Sequence, residues 1–286
     1  VKRAAEIRFL EARLVEEAAA SMCVEACTRP SPGLKALLEK ARDRSPDGPG
    51  REALNLCVLN LEAALETGLP VCQDTGVAVF FAEKGNMLVI PDGTLDDAIH
   101  RGVARGYREG FLRNSLVGCP LERNPLEANS PAVIHTREVE GRALRLRLLV
   151  KGAGSENVSA ASMLPPLAGE KAVAAFVRDA VLEKGAGACP PLFVGVGLGG
   201  DMEMCSTLAK EALLRPFGRP SEAPELRRLE EAILLEVNAS GTGPQGFGGP
   251  VTALEVRVES RPCHMASLPV AVCLDCHAHR TAEIIL

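Results

Sequence analysis

Residues 77–97 read VAVFFAEKGNMLVIPDGTLDD, and this stretch decides the expected fold class. Val77–Ala82 and Met87–Ile90 are short runs with the composition of strands. Lys84-Gly85-Asn86 between them is a hairpin signal. Thr94, followed three residues later by Asp97, has the form of a capping box and predicts a helix through about Arg113. A hairpin running straight into a helix favours an α+β fold over a doubly wound parallel sheet, whose strands need crossover connections.

Outward from this stretch the pattern continues. Upstream, the first 68 residues predict three helices. Ile7, Leu10, Leu14 and Ala18 fall on one stripe, Pro30 and Pro32 break the chain, and Leu34, Leu37 and Leu38 restart it. A Pro/Gly/Asp-rich link, SPDGPG, precedes a third helix over 51–67, which Gly68 ends in a C-cap position. Downstream, a second hairpin is expected around Glu140-Gly141, between 132–139 and 144–150. Helices follow at 169–184, at 202–214 and from Ser221 to near Val237, with strands at 191–197, 251–259 and 268–272. The expectation is one domain over 1–286, with a helical N-terminal segment (1–68) and a mixed sheet with hairpins and flanking helices (69–286).

Composition narrows the function. The 286 residues are 47% hydrophobic with a net charge of −5, so the core is ample and nothing attracts a nucleic acid electrostatically. No apolar run reaches the roughly 18–20 residues that span a bilayer. The N-terminus carries acids among its apolar residues and reads as an amphipathic helix, not a signal peptide. A cytoplasmic protein is expected, with neither membrane nor nucleic-acid partners. Ten cysteines then call for chemistry other than a disulfide framework.

Three glycine-rich loops stand out. Gly195-Val196-Gly197-Leu198-Gly199-Gly200 fits GxGxxG after a strand, the setting of a dinucleotide loop, but no second strand with an acidic end follows. Lys151–Asn157 and Gly241–Gly249 lack the spacing of a P-loop. Their open amides suit anions such as carboxylates. The C-terminal group of Cys263, His264, Cys273, Cys276, His277 and His279 leaves a zinc site open, and with it a zinc-stabilised binding or scaffold protein. Cys72 and Cys189 fall at junctions between helix and strand, beside prolines that stiffen the backbone, whereas Cys57 and Cys205 read as core cysteines within helices. Gln73 and Asp74 place a hydrogen-bonding group and an acid/base candidate next to Cys72.

The stretch PVCQDTG resembles the signature of the iron–sulfur (class I) fumarases and the related L-tartrate dehydratases. GFLRNS, KGAGSEN, ACPP, GVGLGG, GPQGFGG and HMASLPVAVCLDCHAHR follow in the family's order, from about residue 70 to 280. The match is to the α subunit of the two-subunit form. The resemblance implies a [4Fe–4S] cluster held by Cys72, Cys189 and Cys276 with one open iron. It also implies a substrate pocket lined by Gln73, Asp74, Arg113, Gly154 and His264, with Asp74 and His264 catalytic. Where the family pattern has Asn this chain has Cys273, which could compete as a ligand; His277-Ala278 keep the pattern and favour Cys276. The implied activity is reversible hydration of a small dicarboxylic acid, fumarate to (S)-malate first and L-tartrate dehydration as the alternative. A separate β subunit, in an (αβ)2 assembly, would complete the pocket.

Overall fold

The structure, a computed structural model, describes residues 6–286. In chain order the strands are β1 (Arg8–Phe9), β2 (Val77–Gly85), β3 (Leu88–Val89), β4 (Val133–Val139), β5 (Leu144–Lys151), β6 (Ala160–Leu164), β7 (Leu192–Gly200), β8 (Ala253–Cys263), β9 (Leu268–Asp275) and β10 (Arg280–Ile285). The helices are α1 (Ala12–Thr28), α2 (Pro32–Arg44), α3 (Pro49–Thr67), α4 (Leu95–Glu109), α5 (Ala153–Glu156), α6 (Gly169–Lys184), α7 (Met202–Leu213) and α8 (Pro224–Ala239). The α+β expectation holds. The chain forms two compact units, so the three expected N-terminal helices are divided: α1 belongs to the first unit, α2 and α3 to the second.

The first unit holds the chain up to Arg29, Thr67–Lys151 and Arg280–Leu286. Its four-stranded sheet has the order β10-β5-β2-β4. Alternate residues of each strand, Ala78, Phe80 and Ala82 on β2 and Leu144, Leu146 and Leu148 on β5, pack with α1 and α4 in one core. Thr94 caps α4 as expected, its Oγ1 accepting from Asp97 N at 3.1 Å. The helix ends at Glu109, with Gly110 as its cap, so Arg113 lies beyond it in a loop. The stripe expected at the N-terminus is partly corrected. Leu10 and Ala18 are buried, but Ile7 and Leu14 are exposed because β1 precedes the helix and α1 turns Ala12, Val15, Ala19 and Met22 inward. The first five residues of that expected helix lie outside the described ones.

Both expected hairpins are corrected too. β3 pairs in parallel with β1, not with β2. β4 and β5 lie on opposite sides of β2, the first parallel and the second antiparallel. The two turns interlock instead of closing hairpins: Gly85 N donates to Ala143 O, Asn86 N to Val139 O and Met87 N to Gly141 O. A Cβ on Gly85 would run into Gly141 and Arg142 backbone, which explains the glycine without a hairpin.

The second unit holds Pro30–Glu66 and Gly152–His279. Its sheet order is β6-β9-β7-β8, with β7 central, parallel to β8 and antiparallel to β9. Val194 and Val196 of β7 share a core with Val177 of α6 and Ile233 of α8. Gly195 and Gly197 point the other way, against α7, where an added Cβ would strike Ala209 O and Cys205 O. This corrects the nucleotide-loop reading: the GxG lies within a strand and serves close helix–strand packing. Gly197→Ala is therefore expected to destabilise the protein by about 1–3 kcal/mol, the usual range for overpacking. Urea denaturation followed by circular dichroism would measure it; an unchanged midpoint would contradict this packing.

Candidate active site

In the first unit, the expected residues Cys72, Gln73 and Asp74 lie in the irregular segment between α3 and β2. Such backbone must find hydrogen bonds outside any ladder. Val71 N donates to Cys27 O (2.9 Å). Tyr107, 1% exposed on α4, donates its hydroxyl to Thr75 O at 2.5 Å. Asn129 Nδ2 donates to Gly76 O at 2.9 Å, and Arg280 donates to Asp74 O. Asp74 Oδ1 accepts from Gly76 N at 3.0 Å, which sets the direction of its carboxylate. Thr75 Oγ1 donates to Arg113 O at 2.7 Å, so the Arg113 loop is tied to the same segment. The Cys72 thiol is half-buried and faces Gln73 Oε1 at 3.6 Å; Gln73 and Arg113 are exposed. The structure thus gathers four of the expected residues here.

In the second unit, Cys189 follows the 3₁₀ turn Gly185–Ala188 in left-handed backbone (φ 56°, ψ 65°). A non-glycine residue held there is strained, and such strain collects at functional sites. Cys276 begins the turn after β9. The two loops are bonded together: His277 Nδ1 is 3.1 Å from Cys189 O. Gln245 Nε2 donates to Pro190 O (2.7 Å) and lies 3.2 Å from His277 Nδ1. Gly154, exposed on α5, faces Gly187 O, two residues before Cys189. Gly154, Cys189 and Cys276 therefore share one end of the sheet.

His264 does not join them. It sits in the turn between β8 and β9, next to the Gly200 end of β7, whereas Cys276 adjoins the Phe193 end. Seven residues of strand at ~3.3 Å each put roughly 23 Å between these ends. His264 Nδ1 accepts from Ala266 N at 3.1 Å, which leaves the ring proton of the neutral form on Nε2.

The donor chemistry fits an iron–sulfur group. All ten cysteines are thiols, and Cys72, Cys189 and Cys276 all lie on irregular, accessible backbone. Among the described residues no three or more His, Cys, Asp or Glu side chains form a group for a single metal ion. The C-terminal Cys/His residues are spread accordingly: Cys263 and His264 at one end of the sheet, Cys276 and His277 at the other, Cys273 and His279 buried. Thiolates that bind different irons of a cube need no such single-ion grouping. Burial pushes the Cys57 thiol up to about 12, with Cys276 and Cys189 nearby adding to it, and pushes Cys27 up to about 11 despite Arg280.

Several residues that hold this geometry escaped the sequence reading. Gln245 sat in a recognised glycine-rich motif but looked like a loop residue. Tyr107 and Asn129 carry no local signal, because their partners lie 14 to 53 residues away. Arg280 closes the last recognised motif, but its partner Asp74 lies 206 residues away.

The sequence matches the family described as fumarate hydratase (fumerase) over residues 16–285. A protein of Methanocaldococcus jannaschii, provisionally named L(+)-tartrate dehydratase subunit alpha, is 36% identical over 255 residues, 87% of this chain and 89% of that protein. The L(+)-tartrate dehydratase subunit alpha of Escherichia coli O157:H7 is 27% identical over 252 residues, 87% of this chain and 83% of its own. That of Shigella sonnei (strain Ss046) matches to the same extent.

Burial and the thiol shifts together set reactivity. At pH 8 the cofactor-free chain is expected to be alkylated by iodoacetamide at Cys189 on the order of 100-fold faster than at Cys57, whose thiolate is scarce. Peptide mass spectrometry would read the ratio; comparable rates would contradict the placement of Cys57 in the core.

Proposed function

We propose that this chain, which belongs to the fumarate hydratase family of hydro-lyases, is the cluster-bearing α subunit of a two-subunit enzyme that hydrates or dehydrates a small dicarboxylic acid. The observation that carries the reading is the bonding of the Cys189 loop to the Cys276 turn, at the end of the sheet that also presents Gly154. Cys72, Cys189 and Cys276 would be the ligands of a [4Fe–4S] cluster. Bound there, the cluster supplies a Lewis-acidic site that makes a hydroxyl a better leaving group.

The rest of the chemistry falls to side chains. Arg113 pairs with a substrate carboxylate, since a guanidinium matches it as a two-pronged fork. Gln73 hydrogen-bonds the substrate, and the backbone at Gly154 lies against it. Asp74, aimed by its bond to Gly76 N, holds or passes the proton exchanged at carbon. His264 donates from Nε2. Because roughly 23 Å of strand separates His264 from Cys276 within one chain, His264 serves the site of a second copy, which favours an (αβ)2 assembly. The relatives are named as α subunits, which supports a separate β subunit.

Fumarate is the substrate of the family's name and L-tartrate that of the named relatives. We favour L-tartrate, because the relatives that share most of this chain's length carry that name. Anaerobic reconstitution with ferrous iron and sulfide should give a brown chain, and Ser at Cys72, Cys189 or Cys276 should abolish the colour. Unaltered iron in all three variants would refute the ligand set. With the β partner present, L-tartrate should be consumed faster than (S)-malate; full turnover by the chain alone would refute the two-subunit reading.

A further inference from the structure

Asp275 ends β9 and is 1% exposed. A buried carboxylate needs partners, and this one has them on two different loops. Its Oδ2 is 2.8 Å from His279 Nδ1. Its Oδ1 is 3.4 Å from Ser155 Oγ, a hydroxyl that also faces Gly152 O at 3.1 Å. The His279 ring is stacked on Phe193, centroids 4.3 Å apart, and stands edge-on to Phe217 at 5.4 Å. Phe193 and Phe217 in turn carry the Arg257 guanidinium over their faces at 5.3 and 5.2 Å. His279 adopts left-handed backbone (φ 30°), and its N–H donates to Cys276 O at 3.1 Å, closing the turn that carries Cys276 and His277.

We propose that Asp275 is a positioning residue whose carboxylate joins the Cys276–His279 turn to the Gly152–Asn157 loop, so that the Cys276 thiol and the Gly154 backbone are presented as one rigid piece. The His279 ring clamps one side of this joint. With the ring fixed by Asp275 and Phe193, the turn cannot relax its left-handed residue, and Cys276 keeps one direction. Ser155 holds the other side. The inference rests on reading Cys276 as a cluster ligand and Gly154 as a substrate-binding position.

The test uses the full chain and the variants Asp275→Asn, His279→Gln and Ser155→Ala. In the cofactor-free chain, iodoacetamide labelling at Cys276 should rise on the order of fivefold in Asp275→Asn and His279→Gln. Labelling at Cys263, at the far end of the same sheet, should not change. Ser155→Ala should leave Cys276 labelling unchanged and speed amide hydrogen exchange in residues 152–157. After anaerobic reconstitution with ferrous iron and sulfide, iron per chain should fall in the first two variants and not in the third. Unchanged Cys276 labelling, or an equal rise at Cys263, would overturn the proposal. Should Asp275→Asn fail to fold, the His279 and Ser155 variants carry the same contrast. Failure of the parent reading looks different: the unaltered chain would then take up no iron or sulfide, while the labelling contrast still decides the role of Asp275.

Discussion

A buried peptide group must be hydrogen-bonded, and the site of this protein is built under that constraint. Its expected ligands lie on irregular backbone, which has no ladder to satisfy it. In the first unit the carbonyls of Asp74, Thr75 and Gly76 are met by Arg280, Tyr107 and Asn129. In the second, the Pro190 and Cys189 carbonyls are met by Gln245 and His277. Each donor is a side chain from a distant element, so each loop keeps its shape only while the surrounding fold is intact.

The sequence states element type far better than it states partners. Helices at 32–44, 49–67, 169–184 and 202–213 lie close to where period and capping predict them. Strand composition also located β2, β7 and β8. What failed was pairing. Two strands joined by a short glycine turn look like a hairpin, yet β4 and β5 each chose β2, and β3 chose β1. Local composition gives a turn's flexibility but not the reason for it. Gly85 is needed because another turn passes against it, a fact held some 55 residues away. β6 and β10 were missed; both are short strands at sheet edges.

The site was legible in a similar, uneven way. Cys72 and Cys189 drew attention by lying at junctions, and the structure keeps them accessible while Cys23, Cys27 and Cys57 are buried. The motif order tied them to Cys276, which spacing alone left within a zinc-like group. His264 read as a neighbour of Cys276 because twelve residues separate them, but a strand runs between, so closeness in sequence became distance across the sheet. The supporting residues were illegible because a positioning role is a property of a pair: Arg280 and Gln245 sat in recognised motifs, but nothing local says that they meet Asp74 and Pro190.

Cys273 shows how the fold separates two cysteines that the sequence places together. A CxxC on a flexible loop can turn both thiols to one metal. Here Cys273 lies within β9, paired with Gly195 of β7 and 3% exposed, whereas Cys276 lies past the end of the strand. Its thiol accepts from Ser159 Oγ at 3.6 Å and faces Glu156 Oε2 at 3.9 Å, and that carboxylate is paired with Lys210. Reaching a cluster would require breaking its pairing with β7 and leaving buried peptide groups unmet. Cys273 therefore acts as packing beneath the Gly152–Asn157 loop, and the same strand that withholds it delivers Asp275, two residues on, to the joint that aims Cys276.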